Sequence, residues 1–439
     1  MTSEHRDRAG QATAVGTLRR MGAAALAGLI AFGAPATAAS AAPALPLNEP
    51  ILTGDQVRAD QWQLSALNLT EAWNYADGSG VTVAVIDSGV DAHHVDLEGQ
   101  VLTGIDLVDR KTDSGESDPV GHGTSVSAII AGKSDDQAGV VGIAPRAKIL
   151  PVRVLDEDNK YDDSLIVAKG VRWAVDNGAK VINLSLGGSG SSPTLAAAID
   201  YAFAKDVVVI ACTGNATGTS TQKSSNVGVW YPAREPGVIA VGGTERDGQG
   251  LWSGSIRGKE TVVTAPATDL VGARPLGYWR IQGTSFAAPM VSATAALIRS
   301  RWPDMSAGEV INRIIRTADD RGEPGRDPEF GYGLINPVAA LTADVPFVTG
   351  NPLDNTPSPG VARFGSAPVS GQAQSAPQES TQPAGVPPAV PGGNVGGWAA
   401  PAKPEPTGTP MARWIAIALF LLSAIAAAIT IRRFAATTG

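Results

Sequence analysis

The sequence predicts an α/β fold: a mostly parallel sheet with helices on both faces. Along residues 55–345, short apolar β-branched runs alternate with longer stretches of helical spacing. Composition agrees. Hydrophobic residues make up 43% of the chain, enough for a substantial core, and 51 glycines with 31 prolines supply the tight turns that such alternation needs. Strands are expected at 81–86, 148–155, 180–184, 207–212, 238–242 and 261–265. Helices are expected at 122–132, 164–177 and 195–205, with a last one at 286–301. No repeat of solenoid or propeller period is visible, so one domain over residues 61–345 accounts for the pattern.

The two ends carry different signals. Arg6, Arg8, Arg19 and Arg20 precede an apolar run at 21–33 and the small residues Ala34, Ala36, Ala38 and Ala41, the order of a secretory signal peptide over residues 1–42. A core helix is the competing reading, weakened because no polar residue interrupts the run to give it a solvent face. The Arg19-Arg20 pair leaves the export route open. Residues 43–60 form a short N-terminal extension. Residues 346–411 turn to Pro, Gly, Ala, Ser, Gln and Thr, too poor in large apolar side chains to fold, and read as a disordered linker. About 60 flexible residues span about 45 Å on average. A C-terminal transmembrane helix is expected at 412–433, where residues 414–431 are uncharged and reach about 27 Å at the helical rise. Its competing reading is a buried soluble helix, against which no amphipathic face is visible. Residues 434–439 become a cytoplasmic tail, and the body is expected on the extracytoplasmic side of a cell membrane.

Charge and cysteine content narrow the function. A net charge of −8 with scattered basic residues argues against nucleic acid as a partner. Cys212 is the single cysteine, so no intramolecular disulfide forms, and its apolar surroundings suit a small buried hydrophobe better than a nucleophile.

Three short motifs carry chemistry. The first expected strand ends in Asp87-Ser-Gly, which places a carboxylate where parallel strands open onto a crevice, although an aspartate there also serves as a cap or Asx turn. Gly121-His-Gly-Thr sets His122 at a helix start between two glycines; only His93 and His94 compete as a base outside the signal region. Gly283-Thr-Ser-Phe-Ala-Ala-Pro sets Ser285 at the mouth of the last helix, where a serine is either an N-cap or a nucleophile whose oxyanion the unpaired amides favour. A serine hydroxyl needs a neighbouring base at neutral pH, and a histidine base needs a carboxylate to fix its tautomer. Taken together, Asp87, His122 and Ser285 are the candidate catalytic residues.

These motifs, in the chain order Asp, His, Ser, resemble the subtilisin-like serine peptidases over residues 60–345. The resemblance implies a subtilisin-like fold and peptide-bond hydrolysis, with no cofactor. It also implies an oxyanion role for Asn215 in Thr213-Gly-Asn and a substrate-binding role for Ser185, Leu186, Gly187 and Gly188, along which peptide adds as a strand. Departures are visible: Ser125 stands where the family often has a second histidine, and Ala128 where it often has glycine. Residues 133–140 are too short for the calcium-binding loop of secreted subtilisins, and Asp96 lacks that loop's partners, so no metal is expected. His93 and His94 read as a surface-loop pair, and the sequons at Asn68, Asn183 and Asn215 as chance. Too few residues separate residue 42 from the body for a globular inhibitory propeptide.

Signal peptide, short extension, peptidase domain, proline-rich linker and one C-terminal helix together resemble the mycosins of actinobacteria, the membrane-anchored proteases of type VII secretion systems. The resemblance implies exported proteins or peptides as substrates and components of the secretion membrane complex as partners. An alternative follows from it: a structural subunit that stabilises the complex, with proteolysis secondary. A free secreted protease, released by cleavage in the linker, is the third reading.

Overall fold

The computed structural model describes residues 54–354 apart from 110–113, 137, 162, 217–227 and 247. The expected signal peptide, the linker beyond residue 354, the membrane-spanning segment and the tail lie outside the described residues. Among the described residues, no helix is long and apolar enough to cross a membrane.

Seven strands, β1 Thr82–Asp87, β2 Ile105–Asp106, β3 Lys148–Arg153, β4 Val181–Leu184, β5 Val208–Cys212, β6 Ile239–Thr244 and β7 Val263–Pro266, form one parallel sheet. Their order is β2-β3-β1-β4-β5-β6-β7. Register places Val85 of β1 between Pro151 of β3 and Asn183 of β4. Every residue of β4 and β5 is buried, and since successive side chains point to opposite faces, both faces are covered. Helices α4 His122–Ala131 and α7 Thr284–Arg301 pack against each other, as do α5 Ser164–Asp176 and α6 Pro193–Ala204. α7 is buried from Thr284 to Arg299 and lies on β4, β5, β6 and β7, so it acts as the core of the molecule more than as a cover.

All six expected strands and four expected helices are present, with ends shifted by two residues at most. Eight further elements, β2 among them, had no counterpart among the expected strands and helices. Helix α1 Gly54–Asp60 forms inside the expected extension and belongs to the folded body, where Val57 is fully buried. Short helices α2 Trp62–Ala66 and α3 Leu69–Ala72 follow. Strands β8 Leu270–Arg274 and β9 Gly277–Ile281 make an antiparallel hairpin. Helix α8 Ala307–Thr317 opens on a capping box between Ser306 and Glu309, and α9 Pro337–Thr342 opens on Asn336.

Helix α1 is clasped by one side chain. Arg58 donates from Nε to the Gly139 carbonyl at 3.1 Å, from Nη1 to Asp136 at 3.1 Å and from Nη2 to Ala138 at 2.6 Å. The carbonyls of Asp136, Ala138 and Gly139 are therefore gathered by one guanidinium. The expected surface pair of histidines divides: His93 is exposed, whereas His94 is buried. His94 Nδ1 accepts the Asp96 amide at 3.2 Å, and its ring stands edge-on to Tyr278 with centroids 5.4 Å apart. The reason is tertiary. β9 covers one histidine and leaves its neighbour in water. Asp96 accepts from the Val140 amide at 2.7 Å and the Tyr278 hydroxyl at 3.2 Å.

Two outcomes follow. Replacing Arg58 with Ala strands three carbonyls, and the unfolding free energy from urea titration should fall by about 1–3 kcal/mol. Cys212 is fully buried in β5, and burial pushes its thiol up to about 11, so at pH 7–8 it is neither accessible nor ionised. Iodoacetamide should leave the native protein unlabelled for hours at pH 7.5 and alkylate it once urea unfolds it, as intact mass will report.

Candidate active site

The carboxyl end of β1 and the start of α4 meet at a buried hydrogen bond. Asp87 and His122 are 0% and 1% exposed, and Asp87 Oδ1 lies 2.7 Å from His122 Nδ1. With the carboxylate as acceptor, Nδ1 carries the proton and Nε2 is left to accept one. Among the described residues, Nε2 has no partner. Close approach is possible only because residue 123 is glycine: a Cβ there would stand 2.0 Å from the Gly89 carbonyl oxygen and 3.2 Å from Asp87 Cβ.

Asp118 fastens these two elements together. Its Oδ1 accepts from Ser88 Oγ at 2.8 Å, Val120 N at 3.0 Å and Gly121 N at 2.7 Å, and its Oδ2 from Thr124 N at 2.9 Å and Thr124 Oγ1 at 2.7 Å. Ser88 in turn accepts the Gly123 amide at 3.0 Å. One buried carboxylate thus holds the residue after Asp87 and the residue before His122. Burial pushes its carboxyl above the usual range, and the hydrogen bonds from Thr124, Gly121 and Ser88 oppose that shift.

Ser285 is the second residue of α7, where helix amides are still unpaired. Gly283 before it has φ 143°, a backbone that excludes ordinary side chains. Pro289, four residues on, has no N–H to give the Ser285 carbonyl, which Ser185 Oγ satisfies instead at 2.7 Å. Ser185 is itself held by Asn183 Nδ2 at 2.9 Å, and Asn183 Oδ1 accepts from Ser292 Oγ of α7 at 2.9 Å. The Ser285 hydroxyl lies 4.0 Å from Cys212 Sγ, and Phe286 brings the start of α7 against His122, with ring centroids 5.3 Å apart.

Asn215 follows β5 and faces the same point. Its Oδ1 accepts from Thr284 N at 3.0 Å and Thr284 Oγ1 at 2.8 Å, which fixes the amide and turns Nδ2 toward the site. Asp87 and His122 are thus in direct contact, Asn215 is bonded to the residue before Ser285, and Phe286 after Ser285 meets the His122 ring. The substrate-binding segment divides. Ser185 and Leu186 are fully buried, the Ser185 hydroxyl is committed to Ser285, and Gly188 exchanges both backbone bonds with Tyr231 at 2.8 and 2.9 Å. Among the described residues, the peptide groups of Leu186 and Gly187 carry no backbone partner, so a peptide strand has only these to pair with.

Ser125, which stands in place of the family's second histidine, donates to the Gly121 carbonyl at 3.0 Å and the Ala273 carbonyl at 2.7 Å, tying α4 to the hairpin. Among the described residues, no group of His, Cys, Asp and Glu could hold a metal ion. Sequence reasoning missed Asp118, Ser88, Asn183, Ser292 and the part played by Pro289. A D-P step reads only as a turn, and no pattern marks a serine that hydrogen-bonds a carbonyl a hundred residues away.

Comparison with known proteins agrees with this geometry. Residues 78–333 match the subtilase family, peptidase S8. Subtilisin DY of Bacillus licheniformis is 36% identical over 300 residues, covering 67% of this chain and 98% of that protein. Fervidolysin of Fervidobacterium pennivorans is 36% identical over 324 residues, 67% of this chain but only 45% of the relative's length. A crystal structure of MycP1 from the ESX-1 type VII secretion system superposes with a TM-score of 0.59 at 28% identity, covering 72% of this chain and 92% of that one. A catalytic fold, a buried Asp-His pair at its strand ends and a family match across its body lead to one conclusion: the chain belongs to the subtilase family of serine endopeptidases.

Proposed function

We propose that the protein is a membrane-anchored extracytoplasmic endopeptidase that works at a type VII secretion system, with Asp87, His122 and Ser285 as its triad. The observation that carries the catalytic part is the convergence of β1, α4, β5 and α7 on one point, with a 2.7 Å bond from His122 Nδ1 to Asp87 and a free Nε2. The MycP1 likeness supports the secretion setting, and the apolar segments at both ends of the sequence support export and anchoring.

Each group has one task. Ser285 Oγ bonds to the peptide carbonyl carbon while its proton passes to His122 Nε2. The oxyanion that forms accepts from Asn215 Nδ2 and from the Ser285 amide, donors already oriented before substrate arrives. Thr284 makes Asn215 ready by holding Oδ1 away. His122 then gives its proton to the leaving nitrogen as the C–N bond breaks, and water repeats the sequence on the acyl-enzyme. Asp87 keeps the imidazole in one tautomer and stabilises its charged form without taking the proton.

Fluorophosphonate should label the full-length protein at Ser285, and Ser285→Ala should lose both labelling and peptide cleavage while keeping its circular dichroism. A folded wild-type protein that resists the reagent would sink the triad reading. Asn215→Gly should lower kcat by the roughly 10² to 10³ that subtilisin itself loses with its own oxyanion asparagine, with KM little changed. In cells, Ser285→Ala separates two roles: secretion that stops marks an obligatory cleavage, and secretion that continues marks a structural subunit.

A further inference from the structure

Among the described residues, one cation beside the site forms no ion pair. Arg274 ends β8, and its side chain lies across Gly121, the residue before His122: a Cβ on Gly121 would meet Arg274 Cγ at 3.0 Å and Cδ at 3.1 Å. The guanidinium is half-buried, and its Nε is shielded from water with no hydrogen-bond partner among the described residues. Among the described residues, Arg274 is in none of the ion pairs that arginines form.

Asp118 is the carboxylate whose field it feels, but five donors already occupy both Asp118 oxygens. Trp279 offers only its ring, 5.9 Å away. Holding a guanidinium partly out of water without a partner is unfavourable, and burial accordingly weighs against its charge. Packing on Gly121 fixes its place, so the planar fork stays available to a ligand.

Its position identifies the ligand. The general acid must reach the leaving nitrogen, so the leaving half of the substrate passes on the His122 side of the cleft. Arg274 flanks that side, because Gly121 precedes His122 and Ser125, one turn further, holds the Ala273 carbonyl at 2.7 Å. The acyl half belongs to Leu186 and Gly187 beyond Ser285. We propose that Arg274 is a specificity-determining residue that takes a substrate carboxylate on the leaving-group side, from an Asp or Glu side chain or a free C-terminus. This inference rests on the triad reading given above.

The test uses matched quenched peptides and the full-length protein. One series differs only in Glu or Gln at each of the first three positions after the cleaved bond; the other differs only in a C-terminal acid or amide. In at least one series the charged peptide should show kcat/KM about tenfold higher than its neutral twin. Whichever series responds names the source of the carboxylate. Arg274→Met should bring that ratio close to one, and Arg274→Glu should invert it in favour of Lys-containing peptides. Titration of Ser285 with fluorophosphonate counts competent sites in each variant, so loss of folded protein cannot imitate loss of preference. A wild-type ratio of one in both series, or a ratio that survives in Arg274→Met, overturns the inference while the label leaves the triad standing. Failure of wild-type labelling overturns the triad and this inference together.

Discussion

The rest of the structure depends on the buried contact between Asp87 and His122. A charged carboxylate out of water is tolerable only when its partners are placed to within a few tenths of an ångström. That demand explains features that otherwise look unrelated. Gly123 lets two backbones touch, Ser88 bridges them, and Asp118 locks the turn before His122 to the turn after Asp87. A second buried carboxylate is thus retained beside the first, satisfied by donors alone, to hold the geometry of the first.

Ser285, the proposed nucleophile, is positioned by a different device. α7 runs through the core and contacts five strands, so the backbone of Ser285 is held by the sheet. Pro289 removes one bond from the helix and hands the Ser285 carbonyl to Ser185, which Asn183 and Ser292 hold in turn. The first turn of the helix is therefore anchored laterally to β4 as well as along its own axis. Ser185 reached the sequence reading as a residue facing substrate; its hydroxyl works from behind.

What was legible in the sequence was whatever chemistry forces on residue type near glycine. Asp87-Ser-Gly, Gly121-His-Gly and Gly283-Thr-Ser each join a reactive group to a backbone that needs room, and the apolar runs between them announce buried parallel strands through their β-branched content. Helix α8 was missed although a local signal marks it, since Ser306 and Glu309 spell a capping box before Val310, Ile311, Ile314 and Ile315. Other features depend on partners distant in sequence. Nothing near His94 says that Tyr278 will cover it, nothing near Arg58 says that three carbonyls around residue 138 will receive it, and nothing near Asp118 says that five donors converge there.

The burial of α7 has a consequence for when the protein can act. The sheet's central strands find their closing layer only when a helix late in the chain packs against them, and the proposed nucleophile rides on that helix. Such non-local closure is slow to form, because the loop entropy is lost before the contacts repay it. An incomplete chain therefore has neither a finished core nor a serine beside the base. Peptidase competence and completion of the fold arrive in a single event, and a nascent chain emerging from the ribosome is inert until α7 is in place.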